Sequence, residues 1–401
     1  MFKKQSLLAT VLFAIATATP EVANDIPGVT ATEIKIGNTD AYSGSGSAYS
    51  VIAKLETAFF KMVNDHGGVA GRKINFISLD DGYSPPKTLE DVRQLIEEDQ
   101  VALLFNNLGT ACNSAIQKYV NLKQVPQLFI STGADKFADY QHFPWTMGFQ
   151  PSYRTEAQIY SKYILANKPD AKIGILYQND DFGKDYLVGV KDALGADFDK
   201  MVFAASYETT DPTIDSQITS LQAAGANVLL VAASPKFAAQ AIRKVHDLDW
   251  KPLFFLSNVS ISVGAVLKPA GTENAVGIIS AAYMKDSNDP TWKSDAGMNE
   301  WRDFMAKYMP GADTTDIFAV FAYGVSKTML QVLNQCEGDF TRENIMNQAL
   351  NLHDLELPTL LPGIKVNTSP TNYHPIRQMQ LAKFDGATWV RFSDVIAGAV
   401  K

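Results

Sequence analysis

The stretch KIGILYQNDDFGKDYLVGVKDAL, residues 172–194, decides the fold. Lys172–Tyr177 reads as a strand and Phe182–Leu194 as a helix, with the acids Asp180-Asp181 at the turn between them. The alternation continues downstream. Met201–Tyr207 is a strand, Thr213–Ala223 a helix, and Asn227–Ala232 (NVLLVA) a buried strand. Pro235–Val245 is a helix with proline in its first turn, and Leu253–Leu256 a strand. Tyr153–Ala166 is the helix that opens this series. An earlier series has the same form. Glu33–Thr39 is a strand, and Ser47–Asp65 carries a helical stripe of Ile52, Leu55, Phe59, Met62 and Val63 that Gly67-Gly68 ends. Strands at Lys73–Leu79, Val101–Phe105 and Gln127–Ile130 alternate with helices at Pro86–Glu98 and Ala111–Leu122. Two such series predict an α/β protein of two doubly wound parallel-sheet lobes.

Beyond Tyr283 lies a polar stretch, KDSNDPTWKSD, then helical periods at Asn299–Tyr308 and Asp316–Gln335. Gln378–Phe384 and Thr388–Phe392 suggest a hairpin around Asp385-Gly386.

A chain of 401 residues is too long for one compact core and suits two lobes. Its net charge of −8 disfavours nucleic acid as a partner. The start combines Lys3 and Lys4, an apolar run from Leu7 to Ala16 and small residues through Ala18. That order is the order of an export signal, here residues 1–23 with cleavage between Ala18 and Ala23, and the run is shorter than the ~20 residues of a membrane span. No cysteine follows to take a lipid, and no later segment reads as a span, so the expected location is the periplasm. Cys112 and Cys336 are compatible with one bridge or with two buried thiols.

Motifs for chemistry are missing. None of the five histidines pairs with another at i, i+4, and no metal spacing, G-x-S-x-G elbow or phosphate loop occurs. Ser43-Gly44-Ser45-Gly46 follows the first strand as a dinucleotide loop would, but Tyr49 stands at the third glycine position. No catalytic residue, metal or cofactor is predicted. Asp80-Asp81 and Asp180-Asp181 end strands in different lobes and read as solvated acids or helix caps. In parallel sheets ligands lie at the carboxyl ends of strands. Those positions hold Tyr42-Ser43-Gly44, Leu108-Gly109-Thr110, Ser131-Thr132-Gly133, Asp180-Asp181-Phe182, Ser234 and Ser257-Asn258. Small and hydroxylated residues ahead of helices suit anion binding, and equally suit ordinary turns and caps.

Tyr42-Ser43-Gly44, the run Asp65–Ile74 (DHGGVAGRKI), Asp80-Asp81 and Pro86-Lys87 resemble the leucine/isoleucine/valine-binding protein family, type I periplasmic solute-binding proteins of ABC transporters. Lys172–Tyr177 with Asp181-Phe182-Gly183 resembles the start of that family's second lobe. Asp80–Lys87 (DDGYSPPK) and Phe143–Gly148 further resemble a subgroup with some aromatic-acid binders.

The resemblance implies lobes of residues 29–148 plus 281–362 and 149–280 plus 363–401. Three crossings would join them, near Met147–Pro151, Ser280–Tyr283 and Leu361–Ile364. It implies a ligand pocket with aromatic walls at Tyr49, Phe182 and Phe318. Polar groups at Gly109, Thr110, Ser131, Thr132, Gly133, Asp135, Ser234 and Asn258 would complete it. Amino-acid binders of the family set an acidic residue against the ligand ammonium, and Asn258 stands there in this chain, which argues against an α-amino acid; with the subgroup resemblance, an aromatic acid is favoured over a branched-chain amino acid or amide. Asp135 stands where threonine is expected and would repel an anionic ligand if it faced the pocket. The implied partners are a small molecule and an inner-membrane ABC permease, with the receptor a monomer and not an enzyme. A periplasmic sensor would have the same fold and pocket, whereas a doubly wound enzyme would need the motifs that are missing.

Overall fold

The structure, a computed structural model, describes residues 26–397. The segment read as an export signal lies outside them. Five parallel strands form the first sheet: β1 (Glu33–Asp40), β2 (Lys73–Asp80), β3 (Leu103–Phe105), β4 (Gln127–Ile130) and β5 (Thr146–Gly148), in the order β2-β1-β3-β4-β5. The helices between them are α1 (Val51–Asp65), α2 (Pro85–Arg93) and α3 (Thr110–Leu122).

The second sheet has seven strands: β6 (Ile173–Gln178), β7 (Val202–Tyr207), β8 (Val228–Ala232), β9 (Leu253–Leu256), β10 (Ile279–Ala282), β11 (Gln378–Phe384) and β12 (Trp389–Ala397). Their order is β12-β11-β10-β9-β8-β6-β7, parallel from β6 to β10 and closed by an antiparallel hairpin. Its helices are α4 (Tyr153–Asn167), α5 (Asp181–Leu194), α6 (Asp215–Ala223) and α7 (Pro235–Asp247). β8 is buried along its whole length, as a wholly apolar central strand must be when helices cover both faces. The expected two-lobed α/β fold is what forms.

Three further helices, α8 (Ala296–Tyr308), α9 (Ile317–Gln335) and α10 (Arg342–Ala349), follow β10. α9 packs on α1, and the Arg342 side chain donates to Val101 O at 2.9 Å and Ala102 O at 3.2 Å, so this segment rejoins the first sheet. α9 is long and apolar enough to cross a membrane, contrary to the expectation that no later segment would be, and 78% of that stretch is buried inside the protein. Ser280–Ala282, expected within a crossing, are strand residues of β10, so the second crossing begins at Tyr283. The second and third crossings lie side by side. Met284 bridges Leu360, Leu361 N–H donates to Tyr283 O and Lys285 N–H donates to Thr359 O, each bond 2.9 Å. Cys112 and Cys336 are both buried free thiols.

The core beneath β1 holds two buried carboxyls, Asp40 and Glu56. Asp40 accepts N–H bonds from Ala41 (2.6 Å) and Ala53 (3.1 Å), while neither oxygen of the fully buried Glu56 has a partner among the protein groups. Burial pushes Asp40 up to about 8 and Glu56 well above its usual range; the Asp81 charge raises Asp40 further, and the Asp40 charge raises Glu56. Glu156 and Asp185, described below, are both pushed to about 7. An acid whose pKa is raised by folding holds its proton more tightly in the native state, so stability falls as pH rises toward the folded value. His374, pushed down by burial, works in the opposite sense only below about pH 6.5. The melting temperature is therefore expected to fall between pH 6.5 and 8, and Glu56→Gln to make that fall shallower. Melting curves across this range check it; an equally steep fall in the variant would show that Glu56 keeps no proton in the native state.

Candidate functional site

Parallel strands deliver their following loops to one edge of each sheet, and the two edges face each other across a cleft. The cavity between them has about 550 Å³ of empty space, including what opens to solvent. Rings line much of it: Tyr49, Tyr83, Tyr153, Phe182, Tyr283, Phe318 and Phe321. Tyr49 packs on Phe318 with centroids 4.8 Å apart, and Phe182 stands edge-on to Tyr153 at 4.8 Å. Leu108, Val259, Met284 and Ile317 fill the gaps between the rings.

The polar groups come from both sides. On the first-sheet side, Gly109 and Thr110 open α3 and Ser131 follows β4. The first N–H groups of α3 have no intrahelical partners, and the helix dipole favours negative charge there. Gly109 has φ +90°, and a Cβ on it would lie 2.6 Å from the Tyr83 ring, so only glycine fits. On the second-sheet side, Asp180 caps α5 with its side chain, accepting the Gly183 N–H at 3.3 Å, and the turn presents Phe182 to the cavity. Ser234 precedes α7, and its hydroxyl lies 3.3 Å from Tyr207 Oη. Asn258 follows β9.

Eight of the residues singled out from sequence thus line one cavity: Tyr49, Gly109, Thr110, Ser131, Phe182, Ser234, Asn258 and Phe318. Three do not. Thr132 lies beneath the lining, its hydroxyl 2.6 Å from that of Thr110 and accepting the Ala134 N–H. Gly133 is pressed against the chain at the first crossing, where a Cβ would come within 2.2 Å of Pro151 O. Asp135 points away, into a separate polar cleft that it shares with Tyr373, His374 and Arg377. It accepts a hydrogen bond from Ser152 and lies 3.9 Å from the His374 ring. Its carboxylate therefore puts no negative charge into the cavity.

Direct contacts shut the cleft. Tyr49 Oη donates to Val259 O at 3.0 Å and Lys136 Nζ to Asp181 Oδ2 at 2.8 Å. Asp135 N–H donates to Asp185 Oδ2 at 2.8 Å. Burial, with repulsion from Asp135 and Asp181, pushes Asp185 up to about 7.

Sequence reasoning missed Tyr83, Gln150, Tyr153 and Tyr283 in the lining, and missed Glu156 behind it. Glu156 is fully buried on α4. Its Oε1 accepts the Asn258 N–H at 2.9 Å and a bond from Tyr160 Oη, and its Oε2 accepts one from the Asn258 side-chain amide. Burial raises this carboxyl to about 7 against the lowering effect of those donors and of Tyr186. The available signal was a charged residue on the inward face of α4, in line with Tyr153, Ala157 and Tyr160.

A family model described as "Periplasmic binding protein" matches residues 33–388. The chain belongs to that family. Members of the family bind small molecules and deliver them to transporter permeases, and membership implies a periplasmic location. The Leu/Ile/Val-binding protein homolog 7 of Brucella abortus (strain 2308) is 24% identical over 371 residues, 89% of either chain. A substrate-binding periplasmic protein from Ralstonia solanacearum superposes with a TM-score of 0.80 at 20% identity, over 90% of this chain and all of that one. A branched chain amino acid ABC transporter protein from Thermus thermophilus with bound valine gives 0.81 at 12% identity, over 92% of this chain and 97% of that one. The shared fold is that of type I periplasmic binding proteins.

The glycine at the mouth of α3 makes a checkable case within this periplasmic binding protein. Gly109→Ala meets both the positive φ and the Tyr83 ring, whereas Gly67→Ala meets a positive φ of 106° with open space around it. Gly109→Ala is expected to lower the melting temperature by about 3 °C or more beyond the effect of Gly67→Ala, as measured by differential scanning fluorimetry.

Proposed function

We propose that the protein is the solute receptor of an ABC importer and closes on a small organic acid between lobes 29–148 plus 281–362 and 149–280 plus 363–401. One observation carries this reading: a ring-walled cavity enclosed by both sheets, with polar groups at its two ends. A mostly apolar pocket with few polar anchors suits a compact organic ligand. The ligand carboxylate is assigned to the α3 end, beside the helix N-terminus, Thr110 and Ser131. Asp135 is no obstacle there, since it faces the other cleft. The ligand-free protein would open about the three crossings, and the ligand would select the closed form for the inner-membrane permease.

The density of rings favours an aromatic acid. A second reading, a branched-chain amino acid, draws support from Glu156, whose buried carboxylate stands one residue behind the Asn258 that replaces the expected acid. Relatives bearing Leu/Ile/Val-binding names and the valine-bound neighbour favour it too.

The test is a thermal-shift screen of refolded, ligand-stripped protein against benzoates, cinnamates, amino acids, short amides and sugars. A compound at ~100 times its dissociation constant adds ~2.7 kcal/mol of stability and visibly raises the melting temperature. Aromatic acids are expected to shift it. A shift with leucine or valine alone would decide for the second reading, and a shift with sugars alone would sink both.

A further inference from the structure

Among the described residues, Asn258 is the side-chain amide that the second-sheet loops bring to the cavity lining, and which of its two ends faces the ligand decides what the ligand must carry. An amide end can be assigned only from its partners. Above about pH 7 Glu156 is ionised and has no proton to donate, so there the Asn258 group turned toward Glu156 Oε2 is Nδ2, the donor. The Asn258 backbone N–H donates to the other oxygen of the same carboxylate at 2.9 Å, so Glu156 grips this residue twice. The grip is itself anchored. Tyr160 Oη donates to Glu156 Oε1 and accepts the Ala281 N–H at 2.9 Å, which ties the carboxylate to β10. The hydrogen bonds of Asn258 within the protein use its backbone N–H and Nδ2, and its Oδ1 takes part in none of them, on a residue that lines the cavity. An oxygen placed there asks for a donor. A ligand that offers only C–H at that point leaves Oδ1 desolvated and unpaired, which costs far more than an ordinary hydrogen bond gains.

We infer that Glu156 is a positioning residue that holds the Asn258 amide with Oδ1 toward the cavity, so that the receptor selects acids that also carry an N–H or O–H donor. This rests on the reading of the cavity as the ligand site and specifies its second-sheet end. An ammonium and a hydroxyl both satisfy it; an unsubstituted hydrocarbon end does not. Glu156 touches no ligand and acts only through Asn258.

Matched pairs of acids test this by titration calorimetry at pH 8, where Glu156, at about 7, is ionised. The pairs are 4-hydroxybenzoate against benzoate for the hydroxyl, and leucine against 4-methylpentanoate and phenylalanine against 3-phenylpropionate for the amine. The wild-type protein is expected to bind the donor-bearing member of at least one pair about tenfold or more tightly than its mate. In Glu156→Gln the new side-chain amide can donate to Oδ1, the Asn258 amide is free to turn over, and the ratio is expected to fall below about threefold while the donor-free acid still binds. Asn258→Ala, which removes the oxygen but leaves Glu156 its backbone N–H, is expected to lower the same ratio and serves if Glu156→Gln does not fold. Loss of folding alone would change both members of a pair together, so the ratio separates positioning from stability. A wild-type ratio near one with binding retained overturns the inference and leaves the cavity reading standing. So does a ratio that survives in both variants. Failure of the wild-type protein to bind either member of any pair overturns the inference, and if the broader screen also gives no shift, the cavity reading falls with it.

Discussion

Everything at the cleft depends on the parallel pairing of the strands. Each parallel strand ends at the same edge of its sheet, so the loop that follows it is delivered to one rim, whatever its composition. β1, β3 and β4 bring Tyr49, Thr110 and Ser131 to one rim; β6, β8 and β9 bring Phe182, Ser234 and Asn258 to the other. Hydrophobic burial holds the sheets together but is indifferent to which loop residue stands where. The register of the ladders, continuous from Glu33–Lys73 to Asp40–Asp80 in β1–β2, makes that choice.

This explains which parts were legible in the sequence. The alternation of short apolar runs with helical periods is a local signal, and it located nearly every strand of both sheets. β5 escaped because three residues carry too little pattern, and β10 because the serine and alanines of Ile279–Ala282 make no apolar run. The residues at strand ends were readable for the same reason as the strands. Tyr49, Phe182 and Asn258 fall on loops whose position the topology settles, so spacing alone brought them near the cavity.

What spacing does not carry is the direction of a side chain. Asp135 and Ser131 lie four residues apart on one loop, yet Ser131 lines the cavity and Asp135 turns into the neighbouring cleft toward Ser152 and His374. Glu156 was out of reach for a different reason. Its partner, Asn258, is 102 residues away, and only the packing of α4 against the end of β9 brings the carboxylate to the amide. Tyr283 is similar: it belongs to a crossing, where no strand-end rule applies. Contacts of long sequence separation are the ones that tune the site, and they leave no periodicity behind.

The paired crossings at Met284 and Leu360 bear on how the two halves move. Two strands hydrogen-bonded side by side resist shear and in-plane bending far more than they resist twist. The bonds from Leu361 to Tyr283 and from Lys285 to Thr359 make these two connectors a single ribbon, and the first connector, at 149–152, runs separately. A ribbon and a tether leave a body close to one soft coordinate, as a door has on its hinge. In the proposed closure, contacts made anywhere in the cleft would add along that one coordinate instead of being dispersed over independent tilts, and both outer faces would arrive at their final spacing together.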